Sequence, residues 1–145
     1  MRTMILVAIL VTLASCATPY QQKSFSGGFS DVQLNDNIFN VSFKGNSSTS
    51  IERAVDFSML RSAEIALTNG YKYFSILESE KYAKEYVHFD RRYRRYYMEE
   101  KPRIFFQIEC YNEKPEHRYF NALYIYNSVS DKYNLKRSSQ YSNNS

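Results

Sequence analysis

Apolar positions recur along this chain first at every second residue, then at every third or fourth, then at every second again. Residues 29–34 and 38–43 both alternate, with the turn-forming Asn35-Asp36-Asn37 between them. This predicts a hairpin with Phe39, Val41 and Phe43 facing the core. Gly45-Asn46-Ser47-Ser48 breaks the second strand and a helix follows. Thr49 or Ser50 supplies its cap, Glu52 its acidic first turn, and Asn69-Gly70 its stop. Val55, Met59, Leu60, Ala63, Ala66 and Leu67 form its apolar stripe, and the small Ala63 and Ala66 suit close approach to a sheet. Residues 71–77 predict a third strand with Phe74 and Ile76 inward. Residues 103–111 predict a fourth, with Ile104, Phe106, Ile108 and Cys110 on one face. Over 119–133, Ala122, Ile125, Tyr126, Val129 and Tyr133 keep a helical period, while 120–126 also alternates as a strand would. The expected fold class is α+β: one domain over 29–135, with a small antiparallel sheet of about four strands packed by two helices in the order β-β-α-β-β-α.

Both ends lack this period. Residues 17–28 are small and polar, with Gln21, Gln22, Lys23, Ser24, Ser26, Gly27 and Gly28, which predicts a flexible tether over 16–28. The Ser/Asn-rich residues 136–145 predict a disordered tail. At the start, Arg2 is the only charge before an apolar run over 4–13, and small Ala14 and Ser15 stand before Cys16. That is signal-peptide anatomy over 1–15. The run is shorter than the roughly 20 apolar residues that a membrane-spanning helix needs.

Leu13-Ala14-Ser15-Cys16 resembles the bacterial lipoprotein box, an aliphatic and two small residues before a cysteine. The resemblance implies cleavage before Cys16, a diacylglyceryl thioether on its sulfur, and acylation of the new amino terminus. Two or three acyl chains hold a protein far more durably than one, at about 0.8 kcal/mol per buried methylene. Ala17 after the cysteine, in place of Asp, implies an outer-membrane location facing the periplasm. Four further stretches, Gly28-Phe29-Ser30, Phe43-Lys44-Gly45-Asn46, Leu60-Arg61-Ser62-Ala63-Glu64 and Gly70-Tyr71-Lys72-Tyr73-Phe74, are similar to a group of small bacterial lipoproteins in which a hairpin, a helix and a glycine-aromatic strand follow the lipidated cysteine. That resemblance spans Cys16 to about Leu77 and implies an envelope location but no activity. Arg53 with Asp56, and Arg61 with Glu64, stand at three-residue spacing and suit helix-surface ion pairs.

With Cys16 carrying lipid, Cys110 is the one remaining thiol, so the fold stands on its core without an intramolecular disulfide. On an apolar strand face, Cys110 suits a buried inert thiol. The net charge of +4, one unit of it from Arg2, is too mild to imply a nucleic acid partner.

The segment 78–102 is long for a connection in a compact domain. Its centre is His88-Phe89-Asp90-Arg91-Arg92-Tyr93-Arg94-Arg95-Tyr96-Tyr97. If it coils, Tyr82, Tyr86, Phe89, Tyr93 and Tyr96 form an aromatic seam edged by arginine. If it extends, the two strands continue and tyrosines cover the sheet. Glu78, Glu80, Glu85, Asp90, Glu99 and Glu100 offset most of its cations, which favours the extended form. In either form Arg91, Arg92, Tyr93, Arg94, Arg95 and Tyr96 suit contact with an anionic surface such as lipopolysaccharide, or with another envelope protein.

Catalytic templates are not met. His88 and His117 have no second ligand at a metal-binding spacing, and neither a phosphate-cradling glycine loop nor a nucleophile elbow occurs. The expectation is a lipid-anchored envelope protein without enzymatic activity, metal or cofactor, bound to the bilayer through Cys16. The alternative is a hydrolase-like enzyme on a lipid or cell-wall substrate, which would need a deep polar pocket pairing His88 or His117 with a carboxylate.

Overall fold

The computed structural model describes residues 17–142; the expected signal peptide at 1–15, Cys16 and residues 143–145 lie outside the described residues. The described chain is α+β with one antiparallel sheet. Its strands are β1 (Gly28–Gln33), β2 (Ile38–Lys44), β3 (Tyr73–Asp90), β4 (Arg95–Tyr111) and β5 (Phe120–Asn121), and its helices are α1 (Ile51–Thr68), α2 (Ala122–Lys132) and α3 (Ser139–Ser142). The sheet order is β1-β2-β4-β3-β5. Five strands replace the expected four or so, three helices replace the expected two, and the order is β-β-α-β-β-β-α-α in place of β-β-α-β-β-α. The added strand is the two-residue β5, which pairs with β3 at Phe74 and Tyr73, and an isolated bridge from Gln22 to Phe29 extends the β1 edge.

Alternation places the core. Phe39, Val41 and Phe43 from β2 and Ile104, Phe106, Ile108 and Cys110 from β4 are buried on the face covered by α1. Burying a side chain of this size contributes about 1.5–3 kcal/mol. The other face carries polar pairs, Ser30 with Ser42 at 2.8 Å and Gln107 with Asn40 at 3.2 Å. Helix α1 is capped by Ser50, whose hydroxyl accepts from the Arg53 N–H, and ends at Asn69 before Gly70 at φ 82°. Its buried face is centred on Ala54, Phe57, Leu60, Ala63, Ile65 and Ala66, and Val55, Met59 and Leu67 are only partly buried. The buried face thus differs from the expected stripe, with Phe57 packed edge-on among Phe43, Tyr20 and Tyr133. At 119–133 both readings hold in turn: two residues of strand, then helix capped by the Asn121 side chain.

Within the expected tether, Thr18 and Tyr20 are docked on the domain, while residues 22–26 are exposed. Thr18 is fully buried; its N–H donates to Thr49 Oγ1 at 2.9 Å, its hydroxyl donates to the Ser26 carbonyl at 2.9 Å and accepts from the Asn46 N–H at 2.8 Å. Tyr20 packs on Phe29 and Phe57 and donates to Glu64. The expected tail is docked too. Tyr141 packs edge-on to Tyr126 and meets the Thr68 hydroxyl at 2.5 Å, while the Tyr126 hydroxyl accepts from the Ser138 N–H. In both segments a few aromatic and hydroxyl groups find core positions that composition alone hides.

Candidate functional site

The segment 78–102 extends. After a bulge between Ile76 and Glu78, β3 and β4 pair without interruption from Ser79 with Phe106 to Asp90 with Arg95. β2 stops pairing with β4 at Arg103, and β5 touches β3 only at its start. From Ala83 with Pro102 outward the hairpin is therefore a two-stranded ribbon, eight residues per strand and about 26 Å long at 3.3 Å per residue. The helical aromatic seam expected from Tyr82, Tyr86, Phe89, Tyr93 and Tyr96 does not form, because the period of two divides those residues between opposite faces.

The root of this arm is braced. The Gly45 N–H donates to the Pro102 carbonyl at 2.9 Å, and Gly45 lies so close to Thr49 and Pro102 that a Cβ there would come within 2.8 Å of both. The Ser47 hydroxyl and then Lys101 hold the Glu99 carboxyl below the usual carboxylate range.

Each face of the arm has its own chemistry. On one, His88 stacks on Tyr97 with centroids 5.3 Å apart, its Nε2 lies 2.9 Å from Glu99, and Lys101 sits over the Tyr86 ring. The other face continues the core face past Pro102, row by row: Glu85 opposite Glu100, Val87 opposite Met98, Phe89 opposite Tyr96. These last four side chains are 67, 69, 50 and 75% exposed. The four form two adjacent apolar rows open to solvent on one face.

The tip holds the predicted basic group. Arg91, Arg92, Tyr93 and Arg94 form the turn, and Arg95 and Tyr96 open β4. Asp90 Oδ1 accepts from the N–H groups of Arg92 and Tyr93, at 2.8 and 3.2 Å, and Arg94 takes a left-handed φ of 50°. Arg95 lies over the Tyr93 ring at 5.3 Å. The turn thus brings all four arginines to one exposed end, with Asp90 as the nearest acid in the chain, spent on the turn's own backbone.

The remaining candidates are placed elsewhere. Arg61 does pair with Glu64 at 3.0 Å and reaches Asp31 at 2.8 Å as well. Arg53 lies over the Phe57 and Tyr133 rings, and Asp56 accepts from Lys132 and from the Tyr133 hydroxyl. Cys110 is buried, and burial pushes its thiol up to about 12. His117 Nε2, on an exposed side chain, lies 3.2 Å from the hydroxyl of the half-buried Tyr111, which donates to Glu109 at 2.6 Å. Neither His88 nor His117 lines the clefts beside Arg103, Arg61, Tyr73, Asn69 and Lys101. No group of three or more potential metal ligands comes together among the described residues, and none of the described helices is long and apolar enough to cross a membrane. No family model, curated protein or solved structure matches the chain.

The apolar row structure of the arm escaped sequence reasoning. Its signal was available: Val87 and Phe89, then Tyr96 and Met98, alternate on either side of a possible turn.

Proposed function

We propose that this chain is a lipid-anchored protein of the bacterial envelope, a binding module without catalytic activity, that engages an anionic envelope component through the tip of the β3–β4 arm. The observation that carries this reading is the gathering of Arg91, Arg92, Arg94 and Arg95 at the exposed end of a ribbon braced only at its root. Guanidinium groups pair with phosphate or carboxylate through parallel hydrogen bonds, and neighbouring tyrosines suit the polar boundary of a headgroup layer. A lipid on Cys16 would stand two residues before the buried Thr18, so the domain would ride close to the bilayer, with the Asn46–Thr49 side of α1 nearest.

Binding of the purified chain to isolated envelopes tests the tip. Replacing the four arginines together by serine is expected to remove most of the binding and to flatten its dependence on salt. Unchanged binding and salt dependence would overturn the reading. Incorporation of a fatty acid analogue, and its loss in Cys16→Ser, tests the anchor separately.

A further inference from the structure

We propose that the exposed apolar face of the arm is a self-complementary surface that pairs with the same face of a second copy of this chain, the two arms running antiparallel. This goes beyond the envelope-binding reading and does not rest on it.

Three features of that face are each unfavourable in an isolated chain. A two-stranded ribbon is marginally stable without a third element. Val87, Met98, Phe89 and Tyr96 leave apolar surface in water. Glu85 stands directly opposite Glu100, and like charges in a cross-strand pair repel. Within the chain no ion pair engages Glu85, Glu100, Arg91 or Arg94 among the described residues.

A two-fold axis crossing the arm between the Val87–Met98 and Phe89–Tyr96 rows answers all three. Such an axis reverses the direction of the ribbon and keeps β3 against β3 and β4 against β4. Val87 then meets Phe89 of the second copy, and Met98 meets Tyr96. Beyond these rows the turn at each tip, carrying Arg91 and Arg94, lies over the root of the other arm, within side-chain reach of Glu85 and Glu100. Each contact occurs twice, as a two-fold interface requires. Packed at the roughly 10 Å spacing of stacked sheets, each ribbon becomes the covering layer the other lacks. The parallel arrangement brings eight arginines together and is disfavoured by repulsion. An anionic lipid surface lying against this face meets Glu85 and Glu100, which disfavours it as the occupant. The face measures about 26 Å by 10 Å from strand spacing, which places the pair among small, transient interfaces rather than obligate dimers.

The test is a charge swap in the full chain, co-expressed as two differently tagged copies and read by co-purification. Glu85→Arg with Glu100→Arg is expected to reduce self-association at least tenfold, and Arg91→Glu with Arg94→Glu to do the same. Co-expression of one variant with the other is expected to restore pairing, because every reversed contact then meets its complement. Thermal melting of each variant shows whether it is folded. The Glu85→Arg, Glu100→Arg variant keeps all four tip arginines, so retention of its envelope binding with loss of pairing separates this proposal from the previous one. Self-association that survives either swap, or folded variants that fail to recover pairing when mixed, would overturn it. A wild-type chain that does not pair with itself would overturn it too; flotation of that chain with phosphatidylglycerol vesicles that persists in Val87→Ser with Phe89→Ser would leave lipid contact with the tip arginines alone.

Discussion

The N–H of Thr18 donates to the Oγ1 of Thr49 at 2.9 Å, across 31 residues, with both side chains buried. This bond ties the N-terminal segment to the loop that caps α1 and braces the arm. Thr49→Ala leaves the buried Thr18 N–H without that acceptor and is expected to destabilise the fold by about 1–3 kcal/mol. Thr49→Ser keeps the oxygen and is expected to recover most of the loss. Denaturant unfolding measures both, and limited trypsin digestion at Lys23 should accelerate only in the alanine variant.

Tyr20 reinforces the same docking from the other side of α1. Its hydroxyl donates to Glu64, which also accepts from Arg61. Tyr20→Phe removes a hydrogen bond to a charged acceptor and is expected to cost about 1.5–3 kcal/mol. An unchanged unfolding midpoint would show that Arg61 alone satisfies the carboxylate.

Gly45 sets the root of the arm. A Cβ there would lie 2.7 Å from the Thr49 Cβ and 2.8 Å from the Pro102 Cγ. Gly45→Ala is expected to lose about 1–3 kcal/mol through overpacking. Hydrogen exchange should show faster loss of protection over 83–102 than in the β2–β4 core.

Alkaline pH should weaken the fold. Burial pushes Cys110 up to about 12 from 9.0, and burial followed by Asp56 raises Tyr133 to about 12 from 10.0. Burial raises Tyr20 as well, with Glu64 adding to it. In each case the unfolded chain gives up its proton first, so the stability is complete below about pH 9 and falls as pH rises toward 12. Cys110→Ala should blunt the first part of that fall. At pH 8 the Cys110 thiol is expected to react with a disulfide reagent only at the rate of global unfolding, and rapid labelling of the folded chain would contradict its burial.

Periodicity made most of the framework legible. The inward rows Phe39-Val41-Phe43 and Ile104-Phe106-Ile108-Cys110 lie where alternation puts them, because a half-buried strand must repeat every second residue. The glycine stop of α1 was equally local. The helical face was not: Phe57 is buried and Met59 only partly so, with Phe57 packed among Tyr20, Phe43 and Tyr133 from three distant parts of the chain.

By itself, then, the sequence determined an α+β domain with one antiparallel sheet, since strand and helix periods and turn residues act over a few neighbours. The arginines and tyrosines of the long connection were visible, and so was their charge. Only the tertiary structure decided that they sit on a projecting ribbon, which of its faces is apolar, and that Glu85 confronts Glu100. It also decided that Thr18, Tyr20 and Tyr141 are docked. Register between distant strands and the docking of polar termini depend on which partners arrive in space, and local composition carries no record of them.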